Sequence, residues 1–238
     1  MNKIFKTTHL SNGSTVCHCT ESVVSCDPIW EAAYERFETT DEEVQKFLDR
    51  LRYMKLDRLD KASSILEIFC GRGNGIVAFE RLGFHDVEGV DLSFPLLEKY
   101  SGLPRNLYVA DCRQMPFDDH SKDLIIVQGG LHHLPLLPSD VEQTCYEVKR
   151  VLKPGGRFAI VEPYPTICLP WIHFVSELSM VRCCLPKLDA LAVMTERERT
   201  TYQNWMKESP GIRQSIKQAF KPIVDKVTWT KWMFVGMA

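Results

Sequence analysis

The sequence predicts an α/β fold: a Rossmann-like, doubly wound, mostly parallel seven-stranded sheet with an antiparallel C-terminal edge strand and a helical lid insertion. Three observations carry that expectation. Short apolar runs at residues 65–69, 87–90, 107–110, 123–128 and 157–161 alternate with helical patterns, as strands do when helical crossovers join them into a parallel sheet. The first three runs stop at glycines or at an acid (Gly71, Asp91, Asp111), and such sheets bind ligands beyond the carboxyl ends of their strands. After residue 163 the alternation lapses into a largely helical, apolar stretch, followed by two closing strands.

Composition bounds the alternatives. The 238 residues are 45% hydrophobic, 25% charged and 10% aromatic, the profile of a soluble globular chain. At this length folding buries roughly 70–75% of the unfolded surface, enough for a full core. A net charge of -2 gives no general pull toward nucleic acid or anionic lipid. The N-terminus lacks the apolar stretch of a signal peptide, and no run approaches the ~20 apolar residues of a membrane span. A cytoplasmic protein with no nucleic-acid partner and no membrane span is expected; the oligomeric state stays open. The nine cysteines include no CxxC pair, so free thiols in a reducing compartment are expected. Cys17, His18, Cys19 and Cys26 fit no common zinc spacing, and no metal is expected.

Residues 1–27 are polar and weakly periodic. Asn12-Gly13 could turn a hairpin, but the flanks are short of apolar residues and predict a loose arm. Residues 28–60 read as N-terminal helices. One starts near Pro28; a second is capped by Thr40, with Glu43 reaching back, and Val44, Phe47, Leu48 and Leu51 form its apolar stripe. Residues 61–163 form the core of alternating elements. Its helices span 74–82, 94–100 and 139–152, the last with Ser139 as N-cap, Val141, Cys145, Val148 and Leu152 on one face, and Lys153-Pro154-Gly155-Gly156 as the stop. Residues 164–208 are a helical lid over an acceptor site. Residues 209–238 add a helix at 211–220 and an antiparallel strand pair at 224–229 and 232–237.

Glu67-Ile68-Phe69-Cys70-Gly71-Arg72-Gly73-Asn74-Gly75 is the most informative segment. A strand, a glycine-rich turn and a helix start let backbone approach a ligand closely. The glycines fall as GxGxG, which departs from the GxGxxG dinucleotide fingerprint and disfavours a nicotinamide dehydrogenase. Glu67 lies four residues before the first glycine, and Asp91 ends the next strand 20 residues after Gly71. An acid at that distance hydrogen-bonds a ribose diol.

The run ILEIFCGRGNG resembles the first motif of class I S-adenosylmethionine-dependent methyltransferases. VEGVDLS resembles the second, YVADCRQMPF the third, LIIVQGGLHHL the fourth and EVKRVLKPGGRFAIVEP the fifth-strand motif. The likeness covers roughly residues 62–163 and looks nearest to the small-molecule group that includes the ubiquinone- and menaquinone-biosynthesis-like enzymes. It implies S-adenosylmethionine as cofactor. Glu67 would orient the glycine loop and the amino end of the methionine moiety, and Gly71 and Gly73 would let the backbone pass under the cofactor. Asp91 would take the ribose hydroxyls, Leu92 would pack on adenine, Asp111 would accept from its amino group and the Cys112 backbone would touch the ring. Gln128 would meet the methionine part. Phe69 stands where the family usually has glycine, so its ring must turn away from the cofactor or the methionine tail must bind differently.

Methyl transfer needs the nucleophile, the methyl group and the sulfur held in line, and a base only where the acceptor arrives protonated. His132 and His133 follow the fourth core strand, and an imidazole suits general-base work near neutral pH; a loop-shaping role stays open for both. Trp30 and Tyr34 are four residues apart on a segment that folds over the cofactor in the resembling group, and Arg36 could meet the methionine carboxylate; an ordinary core-packed helix is the other reading. His173 reads as a core or substrate-contacting side chain, and residues 195–201 as a solvated helix face. The expected activity is O- or C-methylation of a small, partly apolar organic molecule. Methylation of a protein or RNA, and a non-catalytic cofactor-binding protein, stay as alternatives.

Overall fold

The computed structural model describes residues 4–21, 24, 27–169, 182 and 185–238. Its strands are β1 (Lys6–His9), β2 (Thr15–His18), β3 (Ile65–Ile68), β4 (Val87–Asp91), β5 (Asn106–Val109), β6 (Lys122–Gln128), β7 (Leu152–Pro163), β8 (Lys221–Val227) and β9 (Lys231–Met237). Its helices are α1 (Pro28–Phe37), α2 (Thr40–Tyr53), α3 (Asn74–Arg81), α4 (Phe94–Leu97), α5 (Ser139–Val151), α6 (Pro186–Arg197) and α7 (Arg199–Ala219).

One sheet runs in the order β1-β2-β5-β4-β3-β6-β7-β9-β8. The five central strands β5, β4, β3, β6 and β7 are parallel, and β9 pairs antiparallel with both β7 and β8. β3 lies mid-sheet because every residue in it is apolar or closely packed: Ile65, Leu66 and Ile68 are fully buried. Leu124, Ile125, Ile126 and Val127 of β6 are equally buried, which reflects cover on both faces. The chain leaves β3 toward β4 and β5 on one side and returns to β6 on the other. That reversal opens a crevice at the carboxyl ends of β3 and β6.

Local expectations met the packing unevenly. The sheet has nine strands among the described residues rather than seven, because the expected loose arm is a hairpin. Asn12 supplies what its polar flanks lack. Its side-chain carbonyl accepts from Ser14 N at 3.0 Å, and its amide donates to the carbonyls of Tyr100 and Gly102 at 3.2 and 3.0 Å. Gly13 turns at φ +85°. Val16 is fully buried where β2 pairs in parallel with β5. The capping box of α2 falls one residue earlier than expected, on Thr39 and Glu42, which frees Glu43 to turn inward. Ser139 does not cap α5; its hydroxyl donates to the Leu136 carbonyl, and Asp140 accepts from Leu136 N instead. The helix expected at 211–220 is the second half of α7, which runs through Pro210 because Trp205, Ser209, Ile212 and Ile216 continue one buried face.

The lid residues Trp171, His173, Phe174, Val175, Leu178, Met180 and Val181 lie outside the described residues. Within the described part, α6 packs on α1. Ala33, Ala190 and Met194 form a small core there, with Trp30, Tyr34 and Phe37 around it.

Candidate active site

The glycine turn is built by three left-handed residues. Phe69, Gly71 and Gly73 have φ of +55°, +53° and +75°. At Phe69 this conformation costs about 1–2 kcal/mol relative to glycine. The ring turns to Gly130 in the loop after β6, where an added Cβ would stand 2.3 Å from Phe69 Cγ. The bulky residue at 69 is thus matched by a missing side chain at 130. Gly75 answers to Glu67 in the same way: a Cβ there would lie 2.0 Å from Glu67 Oε1. The Glu67 carboxyl therefore sits against the first turn of α3.

Asp91 ties this loop to the end of β4. Its carboxylate accepts from Gly71 N and from Ser93 N, both at 2.8 Å. Burial pushes its carboxyl above the usual range against these backbone donors. Each oxygen keeps a lone pair for a further donor. Burial drives Glu67 to about 8, with the Gln128 amide opposing from 3.4 Å. Glu67 Oε2, Gln128 Oε1 and Ser93 Oγ are buried without a partner, three of six such side-chain atoms among the described residues. Buried polar atoms are satisfied as a rule, so three orphans gathered on one crevice mark a place for a polar ligand.

The other expected cofactor residues fall less evenly. Leu92 is half-buried beside Asp91. Asp111 accepts from Arg113 N and from the Arg113 guanidinium, the nearest contact being 2.7 Å. Burial raises its carboxyl, but Arg113 outweighs that and holds it below the ordinary range. Cys112 is buried, with its thiol pushed up to about 12 by burial and 3.6 Å from the Thr144 hydroxyl. Tyr34 stacks on Trp30 at 5.0 Å and 8° and donates to Glu43, whose other oxygen accepts from Asn74 Nδ2 at 2.6 Å. Glu43 thereby ties α1 to the first turn of α3. Arg36 does not turn toward the glycine loop. It is half-exposed and pairs with Asp189 of α6 at 3.2 Å, because its position faces the α1–α6 seam. The cation beside the loop is Arg72, bound to Glu31 and Glu35 at 3.2 and 3.1 Å.

His132 and His133 sit in a 3-10 turn, Leu131–His133, with their rings 4.1 Å apart. Glu162, fully buried near the end of β7, accepts from Gly130 N and Leu131 N through Oε1, at 2.8 and 2.7 Å. Its Oε2 meets His132 Nδ1 at 2.7 Å. Glu198, between α6 and α7, approaches both imidazoles at 4.0 and 3.7 Å. Burial raises its carboxyl, with His132 and Lys231 opposing. The surrounding protein and His132 hold His133 below the usual imidazole range.

Known proteins resemble this chain in both sequence and fold. Residues 66–160 match the family model described as a methyltransferase domain. The demethylmenaquinone methyltransferase of Listeria welshimeri is 27% identical over 172 residues, covering 68% of this chain and 70% of that one. That of Staphylococcus aureus is 29% identical over 184 residues, covering 72% and 71%. The chain is a methyltransferase whose sequence is similar to S-adenosylmethionine-dependent enzymes of class I. Solved structures agree on the fold. The PH0226 protein of Pyrococcus horikoshii superposes with a TM-score of 0.65 at 20% identity, covering 89% of this chain and 99% of that one. A SAM-dependent methyltransferase from Aquifex aeolicus gives 0.55 at 14% identity, covering 90% and 99%.

In this methyltransferase the roles of three polar side chains are set by partners distant in sequence. Glu43 looked like half of a capping box. Glu162 lies next to the end of its strand, but its partners come from the loop after a different strand. Glu198 sat in a charged stretch that read as solvated, yet its side chain is only 20% exposed and faces the two histidines. Among the described residues, no helix of the methyltransferase is long and apolar enough to cross a membrane.

Proposed function

We propose that this methyltransferase methylates a small, partly apolar organic molecule at oxygen or carbon, with S-adenosylmethionine held at the carboxyl ends of β3, β4 and β6. The observation that carries the reading is the group of unpartnered oxygens on Glu67, Ser93 and Gln128 beside the left-handed turn at Gly71 and Gly73. These residues fit the cofactor. Asp91 has lone pairs to accept from the ribose hydroxyls, and Leu92 offers an apolar face to adenine. Asp111 and the Cys112 backbone bound the far side of the ring. Gln128 presents an acceptor to the ammonium end of the methionine moiety, and Glu67 does so once its buried proton has left. Arg36 takes no part, and the anchoring expected of it passes to the backbone of the turn.

The bound cofactor supplies an electrophilic methyl group on a sulfonium. The chain's own task is to align the acceptor with it and keep water out, and alignment of this kind lowers a barrier by up to about 7–11 kcal/mol. His132 takes the acceptor's proton where one must leave. Glu162 Oε1 is engaged by two backbone N–H groups, so the carboxylate accepts at Oε2, His132 Nδ1 is the donor and Nε2 carries the free lone pair. His133 lines the same turn. The listerial and staphylococcal relatives are named for demethylmenaquinone, which favours a small organic acceptor with an apolar ring. A location in the cytoplasm, or at the inner face of a membrane when the acceptor is lipid-soluble, goes with it.

The test is turnover. Purified protein is incubated with S-adenosylmethionine and a panel of hydroquinones, naphthols and phenols, and both S-adenosylhomocysteine and methylated product are followed by mass spectrometry. Equal amounts of the two with one small acceptor support the reading. Methyl label appearing only on protein or RNA from an extract would overturn it.

A further inference from the structure

We infer that His132, His133 and Glu198 form a binding site for one divalent transition-metal ion of the zinc class. One ligand atom from each residue lies within 4.8 Å of the other two, with Glu198 oxygens 4.0 Å from His132 Nε2 and 3.7 Å from His133 Nδ1. Metal–ligand bonds of about 2.0–2.2 Å put tetrahedral donors roughly 3.3–3.5 Å apart, so movements of up to about 0.7 Å by each residue bring this trio onto one ion. Two imidazoles and one carboxylate are a donor set that zinc takes when three protein ligands leave a fourth position open.

Three features separate this cluster from a chance meeting of polar groups. Glu162 fixes the His132 ring through Nδ1 at 2.7 Å and leaves Nε2 as the lone pair, the carboxylate–histidine arrangement that orients metal ligands. Glu162 is itself locked by Gly130 N and Leu131 N, so the orientation is built into the end of the sheet. Glu198 does not hydrogen-bond either ring at these distances, so the three donors converge without satisfying one another. His132 and His133 are adjacent, and Glu198 arrives from the junction of α6 and α7, on the insertion. An ion at this point staples the insertion to the strand ends. It also occupies the His132 lone pair to which the proposed reaction gives a proton, so zinc bound here suppresses methyl transfer to acceptors that must be deprotonated.

The metal-binding test does not depend on the methyl-transfer reading. Chelator-treated full-length protein is titrated with zinc by calorimetry, and with cobalt(II) in a visible absorption experiment. One equivalent binding at micromolar or tighter dissociation constant is expected. Glu198→Gln weakens it at least tenfold, and Glu162→Gln, which touches no ion, weakens it roughly ten- to hundredfold. The cobalt form shows the d–d bands of a nitrogen- and oxygen-ligated ion. Binding that both variants leave unchanged, or a thiolate-to-cobalt charge-transfer band that traces the metal to cysteine, overturns the site, as does no binding by the wild type. Thermal melts of both variants confirm that they are folded. S-adenosylmethionine binding in metal-free buffer reports on the cofactor reading separately.

Discussion

Two polar clusters occupy opposite ends of the same buried strands, and they are built to opposite rules. At the amino ends, Lys122 binds Glu88 and donates to Ser64 Oγ at 3.2 Å, and Tyr108 donates to Glu88 at 2.9 Å. Each of these side-chain atoms has a partner. At the carboxyl ends, Glu67, Gln128 and Ser93 leave an oxygen each without one. The first cluster is closed, and its account ends with stability. The second is open, and its desolvated oxygens are offset by no partner among the described residues. Burial of polar groups is common to both, so what sets the proposed cofactor end apart is its unmet hydrogen bonds.

That contrast can be broken by substitution. The largest effect is expected at the closed end. Lys122→Met leaves Glu88 without its cation in a nearly enclosed place, and removing one partner of a buried pair costs about 3–5 kcal/mol. Denaturant unfolding should show a loss in the lower part of that range, because Glu88 keeps some solvent contact, while cofactor affinity is unchanged. A variant that unfolds normally but loses the cofactor would erase the distinction.

At the open end, Glu67 should make stability depend on pH. Its folded carboxyl is raised to about 8, above an unfolded value of about 4.3. Between those values the native state holds a proton that the unfolded state has released, so stability falls as pH rises through the window and levels off above it. From about pH 5.5 to about pH 7.5 the fall attributable to this group is about 3 kcal/mol, at roughly 1.4 kcal/mol per pH unit. Glu67→Gln should flatten that part of the profile. A variant profile parallel to the wild type would show that the carboxyl is not held protonated.

Gly130→Ala tests the pairing of Phe69 with an absent side chain. The new methyl meets the ring at 2.3 Å from Cγ, and overpacking of this kind costs about 1–3 kcal/mol. The double change Phe69→Gly with Gly130→Ala should recover most of the loss, because it removes both the collision and the left-handed strain. No recovery would mean that the ring does not set the requirement at 130.

Much of this was legible in the chain itself. The five mainly apolar runs marked the strands of the parallel core, because burial on both faces of a sheet selects Val, Ile and Leu. The Gly71–Gly75 turn and Asp91 were legible for the same local reason: backbone at positive φ and an acid at a strand end leave fixed spacings. What stayed hidden is non-local. Asn12 makes a hairpin of a polar arm only by bonding to carbonyls about ninety residues away. Arg36 shared a sequence neighbourhood with Tyr34, but two residues, just over half a helical turn, sent it to Asp189 instead. Glu162 and Glu198 meet the histidines through 30 and 65 residues of intervening chain, and spacing along the sequence carries no trace of that meeting.

The most direct test of the open end is calorimetric titration of S-adenosylmethionine into wild type and Asp91→Ala. Loss of two charge-assisted hydrogen bonds, each about 1.5–3 kcal/mol, predicts at least a tenfold weaker dissociation constant in a variant that still folds. Equal affinity in the two proteins would contradict the assignment of this crevice to the cofactor.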